Sequence, residues 1–404
     1  MLAALLLVAA PSLQAPRGRV PDHIELANGT RVTGRIVYAD ERRVVLQDGS
    51  RKTEYERARI RSMRSRAEDS RRALAEWTAL EPETAEALVV LSKSARERDL
   101  LEEARLFAWR ALALDPRSAD AHGLLGHDRR GDGWTLQEGA RRIDFADADA
   151  KHADFGSAWR FEGPHFTLRT NLRHAVAVDL ALDLEQLYQA FFGAFGAELG
   201  LHEVLVPMRA DVHADKASFP EQVGGRGAWF DATREVLVVD ASRGVERGSV
   251  FHEAVHALLH AASTRQRNTP GALPAWVDEG LAECFGWSHV GAPGRASFPV
   301  RSPSKERFAV FAWAKEPHDL ARVLGFSSGD FQSSKTPDLE YAQSYALVHY
   351  LLHGDGGALR PRFAEFLRGA LEGRGSPTHF KKAIGGDFAA LSRGWTAWAR
   401  EHAR

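Results

Sequence analysis

The chain has 404 residues, enough for two or three domains with a full core. Apolar residues make up 44% and charged residues 26%, an ordinary globular balance. A formal net charge of −1 gives no overall field to favour nucleic acid or an anionic membrane, and a single cysteine, Cys284, excludes an intrachain disulfide.

The chain opens with "MLAALLLVAAPSLQAP". Its apolar run is about ten residues, far short of the roughly 20 that span a bilayer. Small residues follow at Ala9, Ala10 and Ala15, so residues 1–15 read as a signal peptide, although no Lys or Arg precedes the run. Export to a periplasmic or extracellular address is the expectation. No cysteine follows that would take a lipid, and no later segment is apolar enough to cross a membrane.

Residues 20–64 alternate in short stretches around Asn28-Gly29 and Asp48-Gly49, both strong hairpin signals. Four or five strands there predict a small SH3-like barrel. Residues 65–142 turn helical. "EEARLFAWRALALDP" places Ala104, Ala111 and Pro116 at spaced small or breaking positions, and Ser92 and Gly126 lie one tetratricopeptide period apart. The segment resembles about one and a half such repeats, too few for a free-standing array. It offers either a surface for a protein partner or a spacer. Residues 143–156 are polar and read as a linker. Over 157–404, "HFTLRT" predicts a strand, 172–195 a long amphipathic helix, "VLVPMRADVH" a strand, and "GAWFDATREVLVVD" two strands around a turn at Asp231–Arg234. Beta-rich text followed by helix-rich text predicts an α+β domain of two lobes.

The stretch "SVFHEAVHALLHAAS" carries His252, Glu253, His256 and His260. Residues four apart share a helix face, about 6 Å apart along the axis. His252 and His256 can therefore aim at one ion, with Glu253 a step round and in reach of a water on it. His260 lies two such steps from His252, about 12 Å along the axis, whereas the ligands of a tetrahedral zinc sit only about 3–4 Å apart. It reads as a bystander. Downstream, "LPAWVDEGLAECF" predicts an apolar helix begun by Pro274, with Glu279 and Glu283 on one face. Two carboxylates on such a helix are costly to bury without a cation.

His252-Glu253-x-x-His256 followed by Trp276-x-x-Glu279-Gly280 resembles the gluzincin peptidases, which include thermolysin and the aminopeptidase N family. The resemblance implies Glu279 as third ligand of one Zn²⁺ per chain and Glu283 as the carboxylate behind a ligand histidine. In "YAQSYALVHYLL" it implies Tyr341 as the oxyanion donor, ahead of Tyr345 and His349. Together with the preceding strands and repeats, residues 155–404 resemble a peptidase-MA-like bacterial family. The chain lacks the Gly-x-Met-Glu-Asn element that reads a free amino terminus in aminopeptidases, and an edge strand stands in that place for pairing with an extended peptide. The resemblance thus implies a zinc-dependent peptidase acting on a peptide or protein, with Glu253 as general base. Two alternatives remain open at the level of sequence. One is a catalytically silent scaffold that binds partners through the barrel and repeats; the other is a zinc hydrolase with a non-peptide substrate.

Overall fold

The structure, a computed structural model, describes residues 21–220, 227–267, 273–333, 335, 337–385 and 387–404. The leader expected over residues 1–15 lies outside the described residues, as does part of the loop before Pro274.

Five antiparallel strands come first: β1 (Asp22–Leu26), β2 (Arg31–Ala39), β3 (Arg43–Asp48), β4 (Arg51–Glu56) and β5 (Ile60–Arg64). Gly29 at φ +82° and Gly49 at φ +56° make the two predicted turns. The predicted barrel is not closed. The strand order is β4-β3-β2-β1-β5, so β4 and β5 end an open sheet. In β2 an irregularity between Ile36 and Tyr38 puts apolar residues on both faces. Ile24, Ile36, Val44, Leu46 and Ile60 pack on one face; Val37, Tyr38 and Val45 pack on the other. That second face is covered from outside the sheet. The Val37 carbonyl accepts from the Glu203 amide at 2.7 Å, and Tyr38 packs on His202.

Four helices follow: α1 (Arg66–Thr78), α2 (Ala85–Glu97), α3 (Leu101–Leu114) and α4 (Ala119–Leu125). The repeat-like small residues serve α2 and α3, where buried Ser92 donates to the Ala104 carbonyl at 2.7 Å and Ala111 is fully buried. Gly126 has another task, ending α4 in the left-handed conformation at φ +74°. The polar text after it, including the segment read as a linker, is built rather than loose. β6 (Asp128–Arg130), β7 (Gly133–Glu138) and β8 (Arg141–Asp144) form a meander, followed by a single turn, α5 (Ala148–Lys151). Two aromatic residues anchor it. Trp134 stacks on His122 at 4.5 Å and Phe145 meets His122 edge-on at 4.8 Å.

A second five-stranded sheet has the order β12-β13-β11-β10-β9. Its strands are β9 (Trp159–Glu162), β10 (Phe166–Thr170), β11 (Met208–His213), β12 (Ala228–Asp231) and β13 (Val236–Asp240). β10, β11 and β13 run parallel, while β9 and β12 are antiparallel edges. The connection from β10 to β11 is the long α6 (His174–Leu199), as parallel pairing requires. Asp231 accepts from the amides of Thr233 and Arg234 and shapes the predicted turn into β13.

The remainder is helical: α7 (Arg247–Arg267), α8 (Ala275–Ser288), α9 (Lys305–Ala312), α10 (Leu320–Leu324), α11 (Ser328–Ser333), α12 (Pro337–His353), α13 (Arg360–Leu371), α14 (Pro377–Ile384) and α15 (Phe388–His402). The whole is a mixed α+β structure, and among the described residues no helix is long and apolar enough to cross a membrane.

α8 lies between α7 and α12, and two glycines set how close it comes to each. A Cβ on Gly286 would fall 2.9 Å from the Gly248 carbonyl oxygen of α7 and 3.3 Å from the His252 Cβ. A Cβ on Gly280 would fall 2.6 Å from the Ser344 carbonyl oxygen of α12. Gly280→Ala must therefore push α12 off α8, and a destabilisation of about 1–3 kcal/mol is expected. It is read as a lower denaturant midpoint, and an unchanged midpoint would refute the close contact.

Candidate metal centre

α7 begins on Glu246, whose carboxylate accepts from the Gly248 and Ser249 amides, and it buries Val250, Phe251, Ala254, Val255, Leu258 and Leu259. That leaves His252, Glu253 and His256 along its half-buried edge. α8 buries Trp276, Val277, Leu281 and Phe285 and turns Glu279 toward the same edge.

Three atoms meet there. His252 Nε2 lies 3.1 Å from Glu279 Oε2 and 3.1 Å from His256 Nε2, and His256 Nε2 lies 3.4 Å from Glu279 Oε2. Ligand bonds of about 2.0–2.1 Å in tetrahedral array require edges of about 3.4 Å, so the triangle has the size of one face of a zinc site. Among the described residues this is the one group of His, Cys, Asp or Glu close enough to hold an ion. Two imidazoles and one carboxylate, with no thiolate, also match the donor chemistry of such a site.

Each imidazole is held from behind. His252 Nδ1 faces Glu283 Oε1 at 3.0 Å, and the other Glu283 oxygen pairs with Arg307 Nε at 2.6 Å. His256 Nδ1 faces Asp278 Oδ1 at 3.1 Å. These contacts fix each ring so that Nε2 points into the triangle. Asp278 and Arg307 escaped the sequence reading. Asp278 had a usable signal, since two ligand histidines need two acceptors and Asp278 and Glu283 flank Glu279. Arg307 comes from α9, in text that bears no motif.

The electrostatics follow from this packing. Burial would lower the His252 pKa, but hydrogen bonds to Glu279 and Glu283 outweigh it and raise the value to about 9. Burial likewise opposes charge on His256, yet Asp278 and Glu279 hold it well above the ordinary imidazole range. Burial would raise Glu279, and the two imidazoles instead hold its carboxyl well below the usual carboxylate range.

Glu253 accepts from the Phe230 amide of β12 at 2.8 Å. Tyr341, at the start of α12, places its ring edge-on to His252 at 5.9 Å. Both line a cleft of about 840 Å³ with Phe230, Trp287 and Arg307, and the three triangle residues open into it. Arg307 also stacks over the Trp287 ring at 4.4 Å. The other aromatic candidates face elsewhere. The Tyr345 hydroxyl accepts from the Ser304 amide at 2.8 Å, and His349 Nδ1 accepts from Trp398 Nε1 at 3.2 Å. His260 lies outside the triangle, with Nε2 3.6 Å from Glu235 and its ring edge-on to Phe230.

A family described as "Protein of unknown function (DUF1570)" matches residues 247–369. That span starts at the first residue of α7 and ends in α13, so it holds every side chain of the triangle and its supports. No curated protein matches the chain.

Metal uptake has a defined pH sign. A ligand imidazole must be neutral, and without metal His252 is protonated below about 9. At neutral pH uptake therefore releases protons, and affinity falls about tenfold for each unit by which the pH is lowered, per proton displaced. Zinc titrations at pH 6 and pH 8, run in buffers of different ionisation enthalpy, should show both effects; affinity that does not change with pH contradicts the assignment. Glu283→Ala should weaken zinc by about 10–100-fold without unfolding the chain, as judged by metal competition.

Proposed function

We propose that this protein is a zinc-dependent peptidase of the gluzincin type, with His252, His256 and Glu279 as ligands. The observation that carries this reading is the triangle of 3.1–3.4 Å formed by those three side chains. Zinc bound there supplies two things, a water made acidic near neutral pH and a Lewis acid for a carbonyl.

The remaining work falls to the chain. Glu253 takes the proton of the attacking water and returns it to the leaving amine. The bond from the Phe230 amide holds one of its oxygens, which leaves the carboxylate oriented before substrate arrives. Tyr341, beside His252 in the same cleft, donates its hydroxyl to the oxygen that gains charge. Glu283 and Asp278 keep the imidazoles aimed while charge shifts at the centre.

The cleft's wall favours a peptide among hydrolysable substrates. β12 is an edge strand, and its pairing with β13 directs the Ala228 and Phe230 backbone groups away from the sheet. One of these groups serves Glu253; among the described residues the rest carry no partner and suit pairing with an extended chain.

Glu253→Gln should retain zinc and lose hydrolysis of a mixed peptide library, scored by mass spectrometry with and without a chelator. Retained cleavage refutes the role of Glu253. Cleavage by the parent protein that no chelator abolishes refutes the metal mechanism. Tyr341→Phe should lower kcat about 10²–10³-fold with little change in KM, as expected for a donor that acts on developing charge.

A further inference from the structure

A second cleft, of about 550 Å³, shares no lining residue with the first. It runs along β9 at the opposite edge of the sheet from β12, between α3 and the β7 strand of the meander. All four residues of β9 line it, so the open edge of the strand is one of its walls.

The backbone register shows what this edge presents. The Gly163 amide donates to the Phe166 carbonyl, and Phe161 and Trp159 lie opposite Leu168 and Thr170. In an antiparallel pair the bonded positions alternate. Trp159 and Phe161 are therefore bonded to β10, while Arg160 and Glu162 direct their N–H and C=O groups outward into the cleft. Such a row is a template for an added strand.

The floor is aromatic. Trp109 of α3 meets Trp159 edge-on at 5.4 Å and Phe161 at 5.5 Å. His127 contacts the Trp109 ring edge-on at 5.5 Å and lines the cleft. Its tautomer can be derived. His122 Nε2 lies 3.0 Å from the Pro116 carbonyl, which only accepts, so that nitrogen carries the proton. His122 Nδ1 is then the acceptor, and His127 Nδ1, at 2.7 Å, must be the donor. Burial, reinforced by His122, keeps His127 neutral by lowering its pKa to about 4. Its Nε2 is left as a lone pair, with no partner among the described residues.

Two close side-chain pairs lie on the rim. Arg160 pairs with Glu162 at 3.0 Å and His152 with Glu138 at 2.9 Å. Exposed Arg105 has no ion pair among the described residues. Arg105 is therefore a cation at the rim that is not committed to a described carboxylate.

We propose that this cleft docks an extended segment of a protein partner by strand addition to β9, with an aromatic hydrogen-bond donor directed at His127 and an acidic residue at Arg105. The occupant follows from three features among the described residues: a strand edge with no neighbour, an acceptor beside an aromatic floor, and a cation at the rim with no ion pair. The site does not depend on the metal centre.

The probe is a fluorescein-labelled peptide, Thr-Val-Tyr-Val-Asp-Val, titrated by anisotropy into the full chain stripped of metal by a chelator, so that cleavage plays no part. Saturable binding is expected, with the Tyr-to-Phe peptide weaker. Arg160→Pro removes one outward amide and no bond to β10, so it should weaken binding about tenfold while the circular dichroism is unchanged. Arg105→Glu, a surface change, should reject the Asp peptide and accept its Lys analogue. The proposal is overturned if the parent protein shows no saturable binding, or if both variants bind the probe as the parent does. A chain that binds the probe yet cleaves nothing keeps this site and loses the peptidase.

Discussion

The candidate site depends on how closely α8 approaches α7. Three ligand atoms drawn from two helices must meet inside a triangle of about 3.4 Å on a side, and side chains of ordinary bulk between the helices would prevent it. Gly286 removes that bulk where α8 passes Gly248 and the His252 Cβ. One turn and a half earlier, Gly280 does the same against the Ser344 carbonyl of α12. α8 is thus fixed on two sides by backbone contact, and Glu279, Glu283 and Tyr341 inherit their places from it. The large buried residues Trp276 and Phe285 hold the remaining faces.

Charge balance is the second constraint. Two imidazoles and three carboxylates crowd a half-buried edge, which is tolerable because the signs alternate: Asp278 behind His256, Glu279 between the two rings, Glu283 behind His252, and Arg307 behind Glu283. A chain of this kind satisfies each buried charge by its neighbour.

Much of this was legible in the sequence because helical spacing is a strong geometric statement. His252 and His256 at four residues apart, and Glu279 and Glu283 on the next helix, needed only the right loop to meet. The N-terminal turns were legible for a similar reason, since Asn28-Gly29 and Asp48-Gly49 demand positive φ. The open sheet was not, because hairpin turns fix neighbouring strands and leave open whether the first and last strands pair, and the cover on the second face of β2, Glu203 and His202, is distant in sequence. The meander at 128–144 was missed because its strands are three to six residues long and polar; its anchors, Trp134 and Phe145, bury against a histidine rather than in an apolar run. Arg307 and the Phe230 amide were illegible in principle. One has no motif, and the other is a backbone group that any residue but proline would supply.

The strand order of the second sheet has a consequence for reach. β12 and β9 are its two edges, four strand spacings or about 20 Å apart, and each edge borders one of the two clefts. A connecting stretch of about ten extended residues is long enough to span that distance with slack. A polypeptide held at one edge would raise the effective concentration of its remaining length at the other, so long chains would be favoured over short ones by tethering and without any better contact at the centre.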